Sequence, residues 1–161
     1  MKLCVLVLED EPAVRTALVR DLEPLADVVR IEPAEDVADA RAILDELAAD
    51  DDQLAVVLAD HRLPGTTGVD FLVALREDED HAACRKVLVT GQADHEDTIR
   101  AVNHAGLDHY IAKPWDASEL VAITRQQLTA YVLATGTDPL PHLRALDAAD
   151  VMPALRGRGD R

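Results

Sequence analysis

Three carboxylates, a hydroxyl and an ammonium stand where short apolar runs of this sequence give out. Glu9 and Asp10 follow the run Leu3–Leu8, Asp60 follows Leu54–Ala59, and Thr90 follows Val87–Val89. Lys113 comes just after the run Leu107–Ile111 and precedes Pro114. Side chains of these types can hold a divalent cation and a phosphoryl group together. Asp60 is the candidate nucleophile, because a carboxylate can attack phosphorus and form an acyl phosphate. The Pro64-Gly65 turn behind it, with Gly68 returning the chain tightly, would leave it exposed at a strand end. Each residue also has a plainer reading. Asp60 alone could cap a turn, Thr90 could be a β-branched strand residue, and Lys113 a solvated lysine. Glu9, Asp10 and Glu11 could simply favour a helix dipole, and Glu11 is the most structural of the three. The spacing of Pro64, Gly65, Gly68, Gly91 and Pro114 around them favours the chemical reading.

Such a site needs elements that bring five separated residues to one edge. The apolar runs Leu3–Leu8, Val28–Ile31, Leu54–Ala59, Val87–Val89 and Leu107–Ile111 are mostly continuous, as expected for parallel strands covered on both faces. Helical patterns lie between them. Pro12 suits the first turn of the first helix. Ala38, Ala42, Ile43 and Leu47 give the second an apolar stripe, and Val69, Leu72, Val73 and Leu75 the third. Asp94 reads as the N-cap of the fourth helix, which Gly106 stops; Asp116 with Glu119 reads as a capping box for the fifth. Five β-α repeats predict a doubly wound α/β sheet, whose sites lie at the carboxyl ends of the strands near the switch in strand order. Glu9, Asp10, Asp60, Thr90 and Lys113 all fall at that edge.

The fifth helix is expected to run to about Leu133, giving a domain over 1–133 and a tail over 134–161 that is partly ordered or a linker. Gly136, Pro139, Pro141, Pro153, Gly157 and Gly159 interrupt the tail, although Leu143, Leu146, Val151 and Leu155 could dock a short helix.

A chain of 161 residues suits one domain. Its net charge of −15 lies wholly within 1–135, since four aspartates balance four arginines beyond. A body so acidic has no affinity of its own for nucleic acid, which binds basic groups. Leu3–Leu8 is too short for a membrane span or signal core, so a cytoplasmic protein is expected. Cys4 and Cys84 form no CxxC pair and read as small buried hydrophobes. The histidines lack HExxH or paired spacing, which argues against zinc.

Four motifs agree in order and spacing: Leu6-Val7-Leu8-Glu9-Asp10-Glu11-Pro12, Asp60-His61-Arg62-Leu63-Pro64-Gly65-Thr66-Thr67-Gly68, Val89-Thr90-Gly91 and Tyr110-Ile111-Ala112-Lys113-Pro114-Trp115. Over roughly residues 1–130 the chain resembles the receiver domain of two-component response regulators. The resemblance implies a flavodoxin-like fold with five helices and strand order 2-1-3-4-5. It implies Asp60 as phosphoacceptor, with Mg²⁺ held by Asp10, Asp60 and the Arg62 backbone carbonyl, and by Glu9 through water. Mg²⁺ and Lys113 would then balance the three acids, so that the site can be loaded and unloaded. Lys113 would meet a phosphoryl oxygen, a cis peptide would precede Pro114, and Thr90 with Tyr110 would form a switch altering the face of the fourth helix, fifth strand and fifth helix. The phosphoryl donor would be a sensor histidine kinase or a histidine phosphotransfer protein, and homodimerisation is a further expectation. Such a domain catalyses its own phosphorylation and hydrolysis and turns over no external metabolite. Departures from the family pattern are Glu9 for aspartate, Leu63 for methionine and Trp115 for phenylalanine. Arg62 and Gln92 would line water's approach to the acyl phosphate.

Two rival readings use the same residues. One is a receiver-like scaffold that binds a partner without phosphorylation, against which the intact Asp60, Thr90 and Lys113 argue. The other is a magnesium-dependent phosphohydrolase, which would call for a D-x-D pattern and a cap domain, neither evident here.

Overall fold

The computed structural model describes residues 1–91 and 95–159, apart from the side chains of His95 and Arg158. Its frame is a parallel sheet of five strands: β1 Leu3–Leu8, β2 Arg30–Ala34, β3 Gln53–Ala59, β4 Arg85–Thr90 and β5 His109–Ala112. They lie in the order β2-β1-β3-β4-β5, the flavodoxin-like order 2-1-3-4-5. Helices α1 (Pro12–Asp21), α2 (Val37–Ala49), α3 (Gly68–Glu77), α4 (His95–Arg100) and α5 (Ala117–Thr135) alternate with the strands. Continuous apolar strands follow from this layering. Leu3, Val5 and Val7 face a core shared with α1 and α5, while Cys4, Leu6 and Leu8 face a second core shared with α2 and α3. Both faces of β1 are therefore dry, and an alternating pattern would have left one of them polar.

Local chemistry sets the helix boundaries. Pro12 opens α1 where its missing N–H has no partner to lose. Asp116 Oδ1 accepts the Glu119 N–H at 3.0 Å, as a capping box requires. Gly106, at φ +66°, ends a π-helical turn, Ala101–Ala105, that continues α4. The expected Asp94 cap, like Gln92, lies outside the described residues.

Several expectations shift. β2 begins at Arg30 rather than Val28: Val28 and Val29 sit in a turn, both bonded to the Leu25 carbonyl, and the strand runs through Pro33. Proline is tolerated there because β2 is an edge strand. In α2 the buried stripe is Ala40, Ile43, Leu44 and Leu47, one helical face at i, i+3, i+4 and i+7, and it leaves Ala38 and Ala42 exposed. Phe71 joins Val69, Leu72 and Leu75 in the core, and Val73 is only partly buried. β5 starts at His109, since Leu107 still bonds back to the Ala101 carbonyl.

The helix count exceeds five. Beyond α5 come a 3₁₀ segment, Leu140–Ala145, and a sixth helix, α6 (Ala148–Gly159). Ala145, Leu146 and Val151 are buried in the core beside α1 and α5. Two polar groups of α5 hold the turn between these segments: the Arg125 guanidinium donates to the Arg144 carbonyl at 2.7 Å, and Thr129 Oγ1 accepts the Asp147 N–H at 2.9 Å.

Candidate functional site

Each site residue continues the ladder one step beyond its strand or closes it. The Glu9 N–H donates to the Ala34 carbonyl at 3.0 Å and the Asp60 N–H to the Leu8 carbonyl at 2.9 Å. The Lys113 N–H reaches the Thr90 carbonyl at 3.4 Å. Parallel pairing thus delivers Glu9, Asp60, Thr90 and Lys113 to adjacent points on one edge. They line a cleft of about 870 Å³ with Asp10, Arg62, Gly91, Pro114 and Trp115 among its other walls.

The loop after Asp60 is shaped by two glycines with different tasks. Arg62–Leu63 pairs antiparallel with Thr66–Thr67 across Pro64-Gly65, and Gly65 has φ +76°, as the third residue of a type II turn asks. At Gly68 the requirement is space. A Cβ there would lie 1.9 Å from the Asp60 carbonyl oxygen, and the Gly68 N–H bonds the His61 carbonyl at 2.8 Å. Thr67 then caps α3, its Oγ1 accepting the Asp70 N–H at 3.1 Å.

Electrostatically the cleft is an acidic trio countered by one lysine. Oxygens of Glu9, Asp10 and Asp60 all lie within 4.8 Å of one another. Glu9 is buried, and so is Asp60, which was expected to be exposed at its strand end; Asp10 is exposed. Lys113 Nζ donates to Glu9 Oε2 at 3.0 Å and stands 3.5 Å from Asp60 Oδ1. Burial pushes the Glu9 carboxyl above the usual carboxylate range. The Lys113 hydrogen bond opposes that rise and the Asp60 charge adds to it. An all-oxygen donor set with surplus negative charge fits a hard cation of the magnesium type. Around the trio, Arg15 Nη1 reaches the carbonyls of Glu9 at 2.9 Å and Asp10 at 3.4 Å, steadying the acidic loop without touching its carboxylates.

Thr90 is buried, and the Tyr110 hydroxyl donates to its backbone carbonyl at 3.0 Å while the ring stays part-exposed. The Lys113–Pro114 peptide is cis. The Trp115 Nε1–H donates to Asp21 Oδ2 at 2.9 Å, a bond that, with the Arg20 guanidinium, holds the Asp21 carboxyl below its ordinary value. All the predicted site residues converge on the cleft except Tyr110, which stands one step away on Thr90. Sequence reasoning missed Arg15, one helical turn past the acids, and His61, whose N–H donates to Asp60 Oδ1 at 2.9 Å. The basic residue soon after Glu9-Asp10 was a usable signal for Arg15.

An open parallel sheet with carboxylates, a hydroxyl and a lysine at its switch-point edge is a doubly wound α/β protein with its polar cleft where sites of that class lie. The family can be stated more narrowly. Residues 5–125 match the response regulator receiver domain, and the chain belongs to that family. It is 34% identical over 157 residues to the hydrogenase transcriptional regulatory protein HoxA of Cupriavidus necator, covering 98% of this chain and 30% of that one. It is 30% identical to the phosphate regulon transcriptional regulatory protein PhoB of Pseudomonas aeruginosa, covering 82% and 52% respectively. The chain thus spans between about a third and a half of these relatives' lengths. The receiver domain of an HD domain-containing protein from Pseudomonas fluorescens Pf-5 superimposes with TM-score 0.71 at 23% identity, over 85% of this chain and 94% of that one. A CheY-like receiver protein from Methanospirillum hungatei JF-1 gives 0.70 at 22%, over 83% and 99%. Among the described residues no helix is long and apolar enough to cross a membrane.

Proposed function

We propose that this receiver accepts a phosphoryl group on Asp60 and signals its loading through the face formed by α4, β5 and α5. The observation that carries the reading is the setting of the Asp60 carboxylate. It sits at the cleft edge beside Glu9 and Asp10, with Oδ1 held by the His61 N–H and approached by Lys113. Glu9, Asp10, Asp60 and the Arg62 backbone carbonyl would hold Mg²⁺. When bound, the metal would supply charge neutralisation for in-line phosphoryl transfer. Lys113, 3.0 Å from Glu9 and 3.5 Å from Asp60, would leave Glu9 for an incoming phosphoryl oxygen, and the Thr90 hydroxyl would follow.

Tyr110 rests on the backbone of Thr90, so a move of Thr90 toward the phosphoryl group changes the support under the ring. Loading then selects a state only through contacts absent from the other state. The donor is a phosphohistidine on a sensor kinase or transfer protein, in the cytoplasm. The names of the relatives point to transcription as the controlled process. With its charge of −15, this chain would act there through a partner or further domain rather than by touching DNA itself.

The lone tryptophan, in the cleft wall beside Lys113, gives the test. Its fluorescence is expected to change saturably on adding Mg²⁺ and then beryllofluoride, and the second change is expected to vanish in Asp60→Asn. A second change that persists in Asp60→Asn would refute Asp60 as the site of loading.

A further inference from the structure

Helix α4 is joined to the body differently from the other helices. Helix α3 buries Val69, Phe71, Leu72 and Leu75. Along α4 and its π-helical continuation, the fully buried side chains among the described residues are the two alanines Ala101 and Ala105. The large apolar residues of the segment face outward, Ile99 at 46% and Val102 at 53% exposure. Alanine offers little apolar area, so burial holds this segment weakly. π-helical turns such as Ala101–Ala105 also recur at functional sites.

Polar links take up the difference. Arg100 Nη1 pairs with Asp70 Oδ1 at 2.6 Å, and Arg76 Nη1 donates to the Asn103 carbonyl at 3.3 Å; both tie the segment to α3. Solvent reaches both partners of the first link, which weakens it, and the second is long. The third link is His61 Nε2 to Asp97 Oδ2 at 3.0 Å. The His61 side chain is only 9% exposed, so this bond is the least screened of the three. It is also the one that reaches the loop carrying Asp60. To bond a carboxylate, His61 Nε2 must carry a proton, and Nδ1 is buried with no protein partner. Asp97 is therefore the polar anchor of the ring.

The backbone of His61 is fixed as firmly as its ring. Its N–H donates to Asp60 Oδ1 at 2.9 Å and its carbonyl accepts the Gly68 N–H at 2.8 Å. A continuous chain of bonds runs from the Asp60 carboxylate through the His61 peptide and imidazole to Asp97 on α4. We propose that His61 is a positioning residue that latches α4 to the phosphoacceptor loop, so that a change at the Asp60 carboxylate reaches α4 through it. The latch rests on hydrogen bonding and needs no change of protonation. Its transmitting role rests on the reading of Asp60 as the loaded residue; the latch itself stands on the unloaded geometry.

Hydrogen–deuterium exchange on the full chain separates the two. His61→Leu and Asp97→Ala are each expected to speed exchange of the α4 segment at least about five- to tenfold, as loss of one polar bond shielded from solvent would do. Exchange in β3 serves as the reference. The double variant is expected to be no faster than Asp97→Ala alone, because the ring bond lost in His61→Leu is already lost when Asp97 is removed. His61→Gln, whose side-chain amide can donate to Asp97 from a similar reach, is expected to stay within about twofold of the parent. A merely structural histidine would show no such rescue. Unchanged α4 exchange in His61→Leu, or additive effects in the double variant, would overturn the latch. With Mg²⁺ and beryllofluoride at saturation, the α4 response of the parent is expected to fall by more than about half in His61→Leu. An undiminished response would overturn transmission through His61. A parent whose α4 ignores beryllofluoride, while the unloaded variants behave as expected, would leave the latch standing and sink the proposed α4 output.

Discussion

Gly68→Ala tests whether the phosphoacceptor loop is held as tightly as the structure implies. The new Cβ would stand 1.9 Å from the Asp60 carbonyl oxygen and 2.8 Å from its carbon. Ordinary contact begins at about 3.4 Å, so this peptide must retreat by roughly 1.5 Å. It cannot retreat freely. The Asp60 N–H is bonded to Leu8 at 2.9 Å and the Gly68 N–H to His61 at 2.8 Å, and a shift of that size takes both bonds out of range. Two lost backbone bonds at about 1 kcal/mol each, plus about 1–3 kcal/mol for overpacking, give a destabilisation of about 3–5 kcal/mol. Gly65→Ala is the control: its Cβ meets nothing within 4 Å, and only φ +76° opposes it. That left-handed strain costs about 1–2 kcal/mol. Urea unfolding of both variants, with the parent slope retained, measures the two costs. A Gly68→Ala cost no larger than that of Gly65→Ala would refute the close approach of Gly68 to Asp60.

Glu9, Leu146 and Trp115 supply three further tests. Burial raises the Glu9 carboxyl, so in the window above the unfolded value the native state binds more protons than the unfolded chain and stability falls as pH rises. Glu9→Gln removes that cost and keeps an oxygen for Lys113, so its urea midpoint at neutral pH without Mg²⁺ should exceed the parent's. Adding Mg²⁺ should close the gap, since ligand binding favours the native parent. Leu146→Ala should cost about 2–4 kcal/mol in urea unfolding, because Leu146 is buried in the core beside α5. A cost near zero would show that the segment after α5 is not docked. Trp115→Phe should lose about 1 kcal/mol with its bond to Asp21. Asp21 stabilises above its unfolded value and loses that contribution as pH falls through its depressed folded value. The variant's acid limb, followed by circular dichroism, should therefore be shallower than the parent's.

Reading the sequence worked where burial alone decided the outcome. β1 and β3 are dry on both faces, so their apolar runs mark their bounds closely, and the acids that follow fall on the site edge. It slipped where another principle prevailed. β2 is an edge strand carrying Glu32 and Pro33, while the apolar Val28 and Val29 serve the core from a turn. In α2 five alanines blur the period, and the larger Ile43, Leu44 and Leu47 decide which face is buried. The docking of Leu146 and Val151 depends on Arg125 and Thr129 offering bonds from α5, which no local pattern announces. At the site, Glu9, Asp10, Asp60, Thr90 and Lys113 were legible because strand ends are legible. The bond between His61 and Asp97 joins distant parts of the chain and leaves no motif of its own, while Arg15 acts on backbone carbonyls and shows in the sequence only as a basic residue soon after the acids.

Everything proposed for the cleft depends on Asp60 carrying the phosphoryl group. Intact mass after incubation with acetyl phosphate and Mg²⁺ tests it most directly, with Asp60→Asn treated alongside. A single phosphoryl increment, labile to hydroxylamine, is expected on the parent and none on the variant. An unmodified parent that nevertheless binds Mg²⁺ would contradict it, as would an equal increment on Asp60→Asn.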